Sequence, residues 1–179
     1  MDRLQKGYVA VYTGDGKGKT TAAIGQAVRS AGNGLKVYMV QFLKTDNSGE
    51  LETAKIIGEN FKIFRFQKQK GFFWTLNEQE KERVREEVNK ALEFVKDVID
   101  NNRCDVLILD EIMGVIKNNL IKPDKVIELI DNKPETMELI LTGRDAPEAI
   151  IDKADLVTEM KNIKHYIENG VYAREGIEY

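Results

Sequence analysis

One cysteine, one histidine, one tryptophan and three prolines among 179 residues set the first limits on this chain. The lone Cys104 permits neither an internal disulfide nor a cysteine-rich metal site, and its place just before an apolar run reads as a buried, inert thiol. With His165 as the only histidine, a catalytic triad or a histidine-based metal site finds no support, and a structural hydrogen bond is its default role. An excess of one charge is also missing. Lys and Arg total 27 against 30 Asp and Glu, a net charge of −3, and that near balance argues against a general electrostatic grip on nucleic acid. No apolar run reaches membrane-spanning length and residues 1–6 are polar, so neither a signal peptide nor a membrane span is expected. These absences read as a soluble cytoplasmic protein, and the length suits a single domain over residues 1–179.

What is present is concentrated near the start. The apolar stretch Tyr8, Val9, Ala10, Val11 leads into Thr13, Gly14, Asp15, Gly16, Lys17, Gly18, Lys19, Thr20 and Thr21, followed by a helix-like segment over 22–31. Strand, glycine-rich turn and helix in that order are the setting of a phosphate-binding loop. The glycines let backbone N–H groups turn toward phosphate oxygens, and the helix N-terminus adds partial positive charge. Lys19 would reach the terminal phosphates and the Thr20 hydroxyl would ligate Mg²⁺. The pattern G-x-x-x-x-G-K-[ST] is met at Gly18, Lys19 and Thr20, but its first glycine falls on Thr13, with Gly14 one place late. That altered position points to a loop that grips its nucleotide in its own way.

Beyond the loop, Gly32, Asn33 and Gly34 stop the first helix, and buried strands are expected at 37–42, 106–109 and 137–141. A short helix at 51–58 and an alternating strand at 61–66 precede a loop over 67–75. Asn77, with Glu80 three residues on, opens a long helix. Val84, Val88, Ala91, Val95 and Val98 form its single apolar stripe, and the charges at 78–87 read as a solvated face. A helix at 124–130, another from Pro147 and a last core strand at 156–160 complete a doubly wound, mostly parallel α/β sheet.

The second nucleotide signature is Leu107, Ile108, Leu109, Asp110, Glu111. An aliphatic strand ending in acid delivers Asp110 to the carboxyl edge of the sheet, where it can hold Mg²⁺ or a water bound to it. Glu111 could share that task; the competing reading for both is a helix N-cap carboxylate. Arg144, after the next strand, could bind phosphate or pair with Asp145 or Glu148. Arg29 looks, from spacing alone, like a surface arginine. Gly71, Phe72, Phe73 and Trp74 place three consecutive aromatics in a loop, which either packs under the fold or lines a site for a flat, apolar partner.

These residues jointly resemble the corrinoid (cob(I)alamin) adenosyltransferases of the CobA/CobO/BtuR type. The loop from Gly14 to Ala23, the strand Val40 to Lys44, the aromatic loop, Leu109 to Glu111 and Leu141 to Arg144 all match. So does the tail, through Ala154 to Met160, Lys164 and His165, Gly170 and Val171, and Gly176 to Tyr179. The resemblance implies a RecA-like P-loop fold, usually homodimeric, that moves the 5′-deoxyadenosyl group of ATP onto the cobalt of a reduced corrinoid and releases triphosphate. It implies that residues 13–21 hold the nucleotide in reversed sense, that Arg29 contacts it, and that Lys19, Thr20 and Glu111 are catalytic. Thr20, Asp110 and Glu111 would serve Mg²⁺. Phe72 and Trp74 would press on the lower face of the corrin and displace its axial ligand, easing reduction of Co(II) by an external flavoprotein. The chain departs from the family in having only six residues before Gly7, where some members carry an extension, and in Asp15, a position often held by Asn. A P-loop kinase or ATPase is the alternative, but it leaves the aromatics without a role. A nucleotide-switched or corrinoid-carrying binding protein is a third reading.

Overall fold

The computed structural model describes residues 4–45, 48–68, 71 and 73–178. Its elements are β1 (Val9–Thr13), α1 (Lys19–Gly32), β2 (Val37–Gln41), α2 (Gly49–Ile57), β3 (Phe61–Arg65) and α3 (Glu78–Asp100). They continue with β4 (Val106–Asp110), α4 (Ile112–Lys117), α5 (Pro123–Asn132), β5 (Glu138–Thr142), α6 (Glu148–Ile151) and β6 (Leu156–Glu159). Short 3-10 turns lie at Gly58–Asn60, Phe73–Thr75 and Tyr166–Asn169.

The strands form one six-stranded sheet in the order β3-β2-β4-β5-β1-β6. Every pairing in it is parallel, where the sequence predicts a mostly parallel sheet. Parallel strands need helical crossovers, and these cover both faces, so the central strands are apolar on both sides. Val9, Val11, Val40, Leu107, Leu109, Leu139 and Leu141 point to the face covered by α3, α4, α5 and α6. Ala10, Met39, Ile108 and Ile140 point to the other, against Ala23 and Ala27 of α1 and Ala54 of α2. This two-sided alternation is the doubly wound arrangement the apolar runs predict.

Three details differ from expectation. First, 156–160 is not a core strand: β6 is an edge strand, paired to β1 alone, and all its residues are exposed. Its valine and leucine suggested burial, but a strand at the edge of the sheet has a neighbour on one side only. Second, α1 begins at Lys19 rather than 22, because Gly18 occupies the N-cap position and the loop passes directly into the helix. Third, α4 has no counterpart in the sequence pattern, since six residues are too few to show a helical period.

The long helix α3 follows its sequence closely. Asn77 Oδ1 accepts from Glu80 N at 3.0 Å while Glu80 Oε2 accepts from Asn77 N at 2.9 Å. Val84, Val88, Ala91, Val95 and Val98 are buried, and the charged face pairs along itself, as in Lys81–Glu78 and Arg85–Glu82. Cys104 is buried as expected. No helix among the described residues is long and apolar enough to cross a membrane.

Candidate active site

The strand order decides which side chains meet. The loop strand β1 and the acidic strand β4 are separated by β5, so the end of β5 lies between the phosphate loop and Asp110. Three donors converge on the Asp110 carboxylate, which is 0% exposed. Thr20 Oγ1 donates to Oδ1 at 2.8 Å, Thr142 Oγ1 to the same oxygen at 2.7 Å, and Gln41 Nε2 to Oδ2 at 3.1 Å. Asp110 is thus held by side chains from α1, β5 and β2, and it is not a helix cap. Because Thr20 spends its proton on Asp110, its oxygen lone pairs remain available to a cation.

Among the described residues no cluster of three or more His, Cys, Asp or Glu could hold a metal ion by itself. A cation here would take oxygens from Thr20 and the neighbouring carboxylates, completed by water and phosphate. That sparse, all-oxygen set fits Mg²⁺, which keeps several waters and relies on substrate phosphates.

Glu111 stands next to Asp110 at the N-cap position of α4 with φ 62°, and its side chain makes no capping bond. Its N–H donates instead to Thr142 Oγ1 at 2.9 Å. Burial first, and then the Asp110 charge, push its carboxyl above the usual range, against the pull of Lys19, Arg144 and Lys44. Glu111 lines a cleft of about 640 Å³ with the loop residues Lys19, Thr20 and Thr21, the exposed Arg144 and the half-buried His165.

The loop owes its shape to the segment after β6. A side chain on Gly14, which has φ 95°, would place Cβ 2.4 Å from the Met160 carbonyl oxygen, and one on Gly16 would come within 2.7 Å of it. Gly16 N donates to that carbonyl at 2.7 Å, and Met160 N donates to Thr13 O at 2.8 Å. Thr13, standing where the common pattern has glycine, uses Oγ1 to accept from Ala146 N at 3.2 Å. Asp15 Oδ1 accepts from Asn162 N at 3.1 Å, so this residue shapes the loop. Lys19 is 6% exposed and folds back, its Nζ donating to Gly14 O and Gly16 O, both at 2.7 Å. Burial and the neighbouring Arg144 lower its pKa. At the start of α1 the first N–H groups have no intrahelical acceptor and can meet an anion.

The remaining expectations resolve unevenly. Arg144 pairs with neither Asp145 nor Glu148 among the described residues; Asp145 is taken by Lys117 at 2.6 Å. Arg29 sits in the exposed last turn of α1, about 15 Å along the helix axis from Lys19. Lys17 is engaged by the chain's last residues, described below. His165 accepts from Ile167 N at Nδ1, the structural bond expected of it. Of the aromatic loop, Phe73 packs against the core, Trp74 is 70% exposed, and Phe72 lies outside the described residues. The aromatic turn leaves the sheet after β3, at the same carboxyl edge as Asp110, because Arg65 aligns with Gln41 and Gln41 with Asp110.

Thr142 and Gln41 have no individual role in the sequence reading. In the sequence Thr142 is only part of a strand end, because its importance depends on β5 lying between β1 and β4. Gln41 links the site to a polar cluster: its Nε2 also donates to Glu50 Oε1 at 3.1 Å and its Oε1 accepts from Arg65 Nε at 2.7 Å. Glu50 further accepts from Lys44 at 2.5 Å. Burial would raise the Glu50 carboxyl, but hydrogen bonds from Lys44, Gln41 and Ser48 outweigh it and hold it down at about 2.

Both the fold and the sequence are similar to those of known proteins. The architecture is similar to the flagellar accessory protein FlaH of Methanocaldococcus jannaschii, with a TM-score of 0.57 at 16% identity over 87% of this chain and 72% of that one. It is also similar to the KaiC-like protein PH0186 of Pyrococcus horikoshii, with a TM-score of 0.56 at 14% identity over 90% and 75%. These likenesses support the RecA-like P-loop fold. In sequence the chain is 32% identical to the corrinoid adenosyltransferase of Escherichia coli K12, over 98% of this chain and 87% of that protein. It is 35% identical to the corrinoid adenosyltransferase of a Sinorhizobium species, over 98% and 81%. It is 33% identical to the corrinoid adenosyltransferase CobA of Salmonella typhimurium, over 98% and 87%. The family model "ATP:corrinoid adenosyltransferase BtuR/CobO/CobP" matches residues 5–179, and the chain belongs to that family.

Proposed function

We propose that residues 13–21, with Asp110, Glu111 and Thr142, bind Mg-ATP so that a reduced corrinoid attacks its C5′ carbon. The chain is an ATP:corrinoid adenosyltransferase by family, which disfavours the kinase or ATPase alternative. The observation that carries the site assignment is the convergence of Thr20 and Thr142 on the buried Asp110 carboxylate beside the loop.

The chemistry balances without a general base. The electron pair of Co(I) forms the cobalt–carbon bond, and the pair of the C5′–O bond leaves with triphosphate. Stabilising charge on that leaving group is the protein's main task. Lys19 supplies it by turning from the Gly14 and Gly16 carbonyls to phosphate oxygens, together with the first N–H groups of α1. Thr20 and the carboxylates of Asp110 and Glu111 would hold Mg²⁺, which supplies further charge neutralisation.

The exposed Trp74 offers a flat apolar face to the corrin, with Phe72 as its partner in the family pattern. Their role is to exclude the lower axial ligand, so that an external flavoprotein can reduce Co(II). Arg29 as a nucleotide contact and a homodimeric assembly belong to the same reading, and rest on the family resemblance.

The test is an anaerobic incubation of the protein with Mg-ATP and chemically reduced cobalamin, following light-sensitive adenosylcobalamin and separating the phosphate products. Adenosylcobalamin with equimolar triphosphate is expected, and Lys19→Ala should abolish both. ADP and phosphate with untouched corrinoid would overturn the proposal in favour of cleavage at the γ-phosphate.

A further inference from the structure

Both lysines of the phosphate loop are already occupied by the protein itself. Lys19 is satisfied by two loop carbonyls. Lys17 is held by the chain's last residues: its Nζ donates to Glu178 Oε1 at 2.7 Å, to the Tyr166 hydroxyl at 3.1 Å and to the Ile177 carbonyl at 3.2 Å. Glu178 is in turn fixed in place. It accepts from Arg174 N at 2.7 Å, from Arg174 Nη2 at 3.2 Å and Nε at 3.3 Å, and from the Tyr166 hydroxyl. Its side chain is mostly covered, although the segment around it is exposed.

This cluster lies within the nucleotide cleft. Glu178 and Ile177 line the same cavity as Lys19, Thr20 and Glu111. A carboxylate in a cleft built to attract polyphosphate opposes that anion directly and competes with it for Lys17. Hydrogen bonds from Arg174 and Lys17 hold the Glu178 carboxyl far below the usual range, and the bond to Glu178 raises Lys17, so both stay charged at neutral pH. The pair is therefore an ion pair that an entering phosphate must break or share.

We infer that Glu178 is an internal counter-anion of the phosphate loop, occupying Lys17 while the cleft is empty, releasing it to incoming polyphosphate and recapturing it as polyphosphate leaves. Arg174 and Tyr166 are the positioning residues that keep the carboxylate within reach. Docking of residues 166–178 and binding of polyphosphate are then competing, reciprocally linked equilibria. The consequence for turnover concerns the product. Inorganic triphosphate carries several charges and makes every loop contact that ATP makes through its phosphates, and a carboxylate waiting for Lys17 weakens its hold. The inference rests on the loop being a polyphosphate site.

The experiment is calorimetric titration of the full chain with inorganic tripolyphosphate in the presence of Mg²⁺, comparing wild type, Glu178→Gln, Lys17→Ala and the double variant. Glu178→Gln should bind about threefold to tenfold tighter, the scale expected for releasing one partly covered ion pair. In the Lys17→Ala background the same change should give a clearly smaller gain, because the competition for Lys17 is gone and only the direct repulsion of the anion remains. Backbone hydrogen exchange over residues 166–178 should also accelerate when wild type is saturated with tripolyphosphate. Unchanged or weaker binding by Glu178→Gln, or an equal gain without Lys17, would overturn the inference and make the segment a fixed wall of the cleft. A wild type that binds no tripolyphosphate, or binds it equally well after Lys19→Ala, would instead sink the polyphosphate reading of the loop.

Discussion

Thr142 joins the two acidic residues of the site with one hydroxyl, accepting the Glu111 N–H and donating to Asp110. Valine has nearly the same shape but offers neither bond. Thr142→Val should therefore leave the Glu111 N–H unsatisfied and remove one of the three donors that hold Asp110, at a cost of about 1–3 kcal/mol. Adenosylation at limiting Mg²⁺ should fall about fivefold or more by that measure, and Thr142→Ser should recover most of it. A serine variant as poor as valine would show that the methyl group, not the hydroxyl, matters. Trp74 poses the opposite case, a large apolar side chain facing out of the fold. Trp74→Ala should lose at least about tenfold of the activity measured with Co(II) corrinoid and a flavoprotein reductant, yet stay within about threefold of wild type with chemically prepared Co(I). Equal losses in both assays would assign Trp74 to packing alone.

At the scale of elements, α3 shows local chemistry and tertiary packing in agreement. Its capping box closes as Asn77 and Glu80 predict, and its apolar stripe meets the core. Asn77→Ala removes the cap without touching the site, so it should cost about 1 kcal/mol, read as a lower urea midpoint with an unchanged slope. Activity below the unfolding transition should not move. The loop into α1 is the contrasting element. Its glycine spacing was legible as a phosphate loop, but the reason Gly14 and Gly16 tolerate no side chain is the Met160 carbonyl, well over a hundred residues away in sequence. Likewise β6 reads as a core strand by composition and is exposed by position. Composition reports what a residue prefers to bury, whereas the edge of a sheet depends on how many strands precede it in space.

At the scale of the whole molecule, the polar cluster around Glu50 ties α2, β2 and β3 to the carboxyl edge. Its carboxyl is lowered from 4.5 to about 2, so the native state binds a proton less readily than the unfolded chain. The stability this contributes is complete above the unfolded value and is lost as pH falls through the folded one. Urea midpoints taken from pH 4.5 down to about 2 should fall for wild type, and Glu50→Gln should flatten that decline. An unchanged slope would place the acid sensitivity in other carboxylates.

By itself the sequence determined the kinds of element, the loop, the acid at the end of an aliphatic strand, and the family. Each of these is written in neighbouring residues: period, glycine spacing, and charge at a strand end. Only the tertiary structure decided that β5 lies between β1 and β4, and hence that Thr142 and Gln41 hold Asp110. It also decided that Met160 shapes the loop and that Glu178 takes Lys17. Strand order in a parallel sheet is set by how crossovers bury both faces at once, a property of the whole packing that no local window contains.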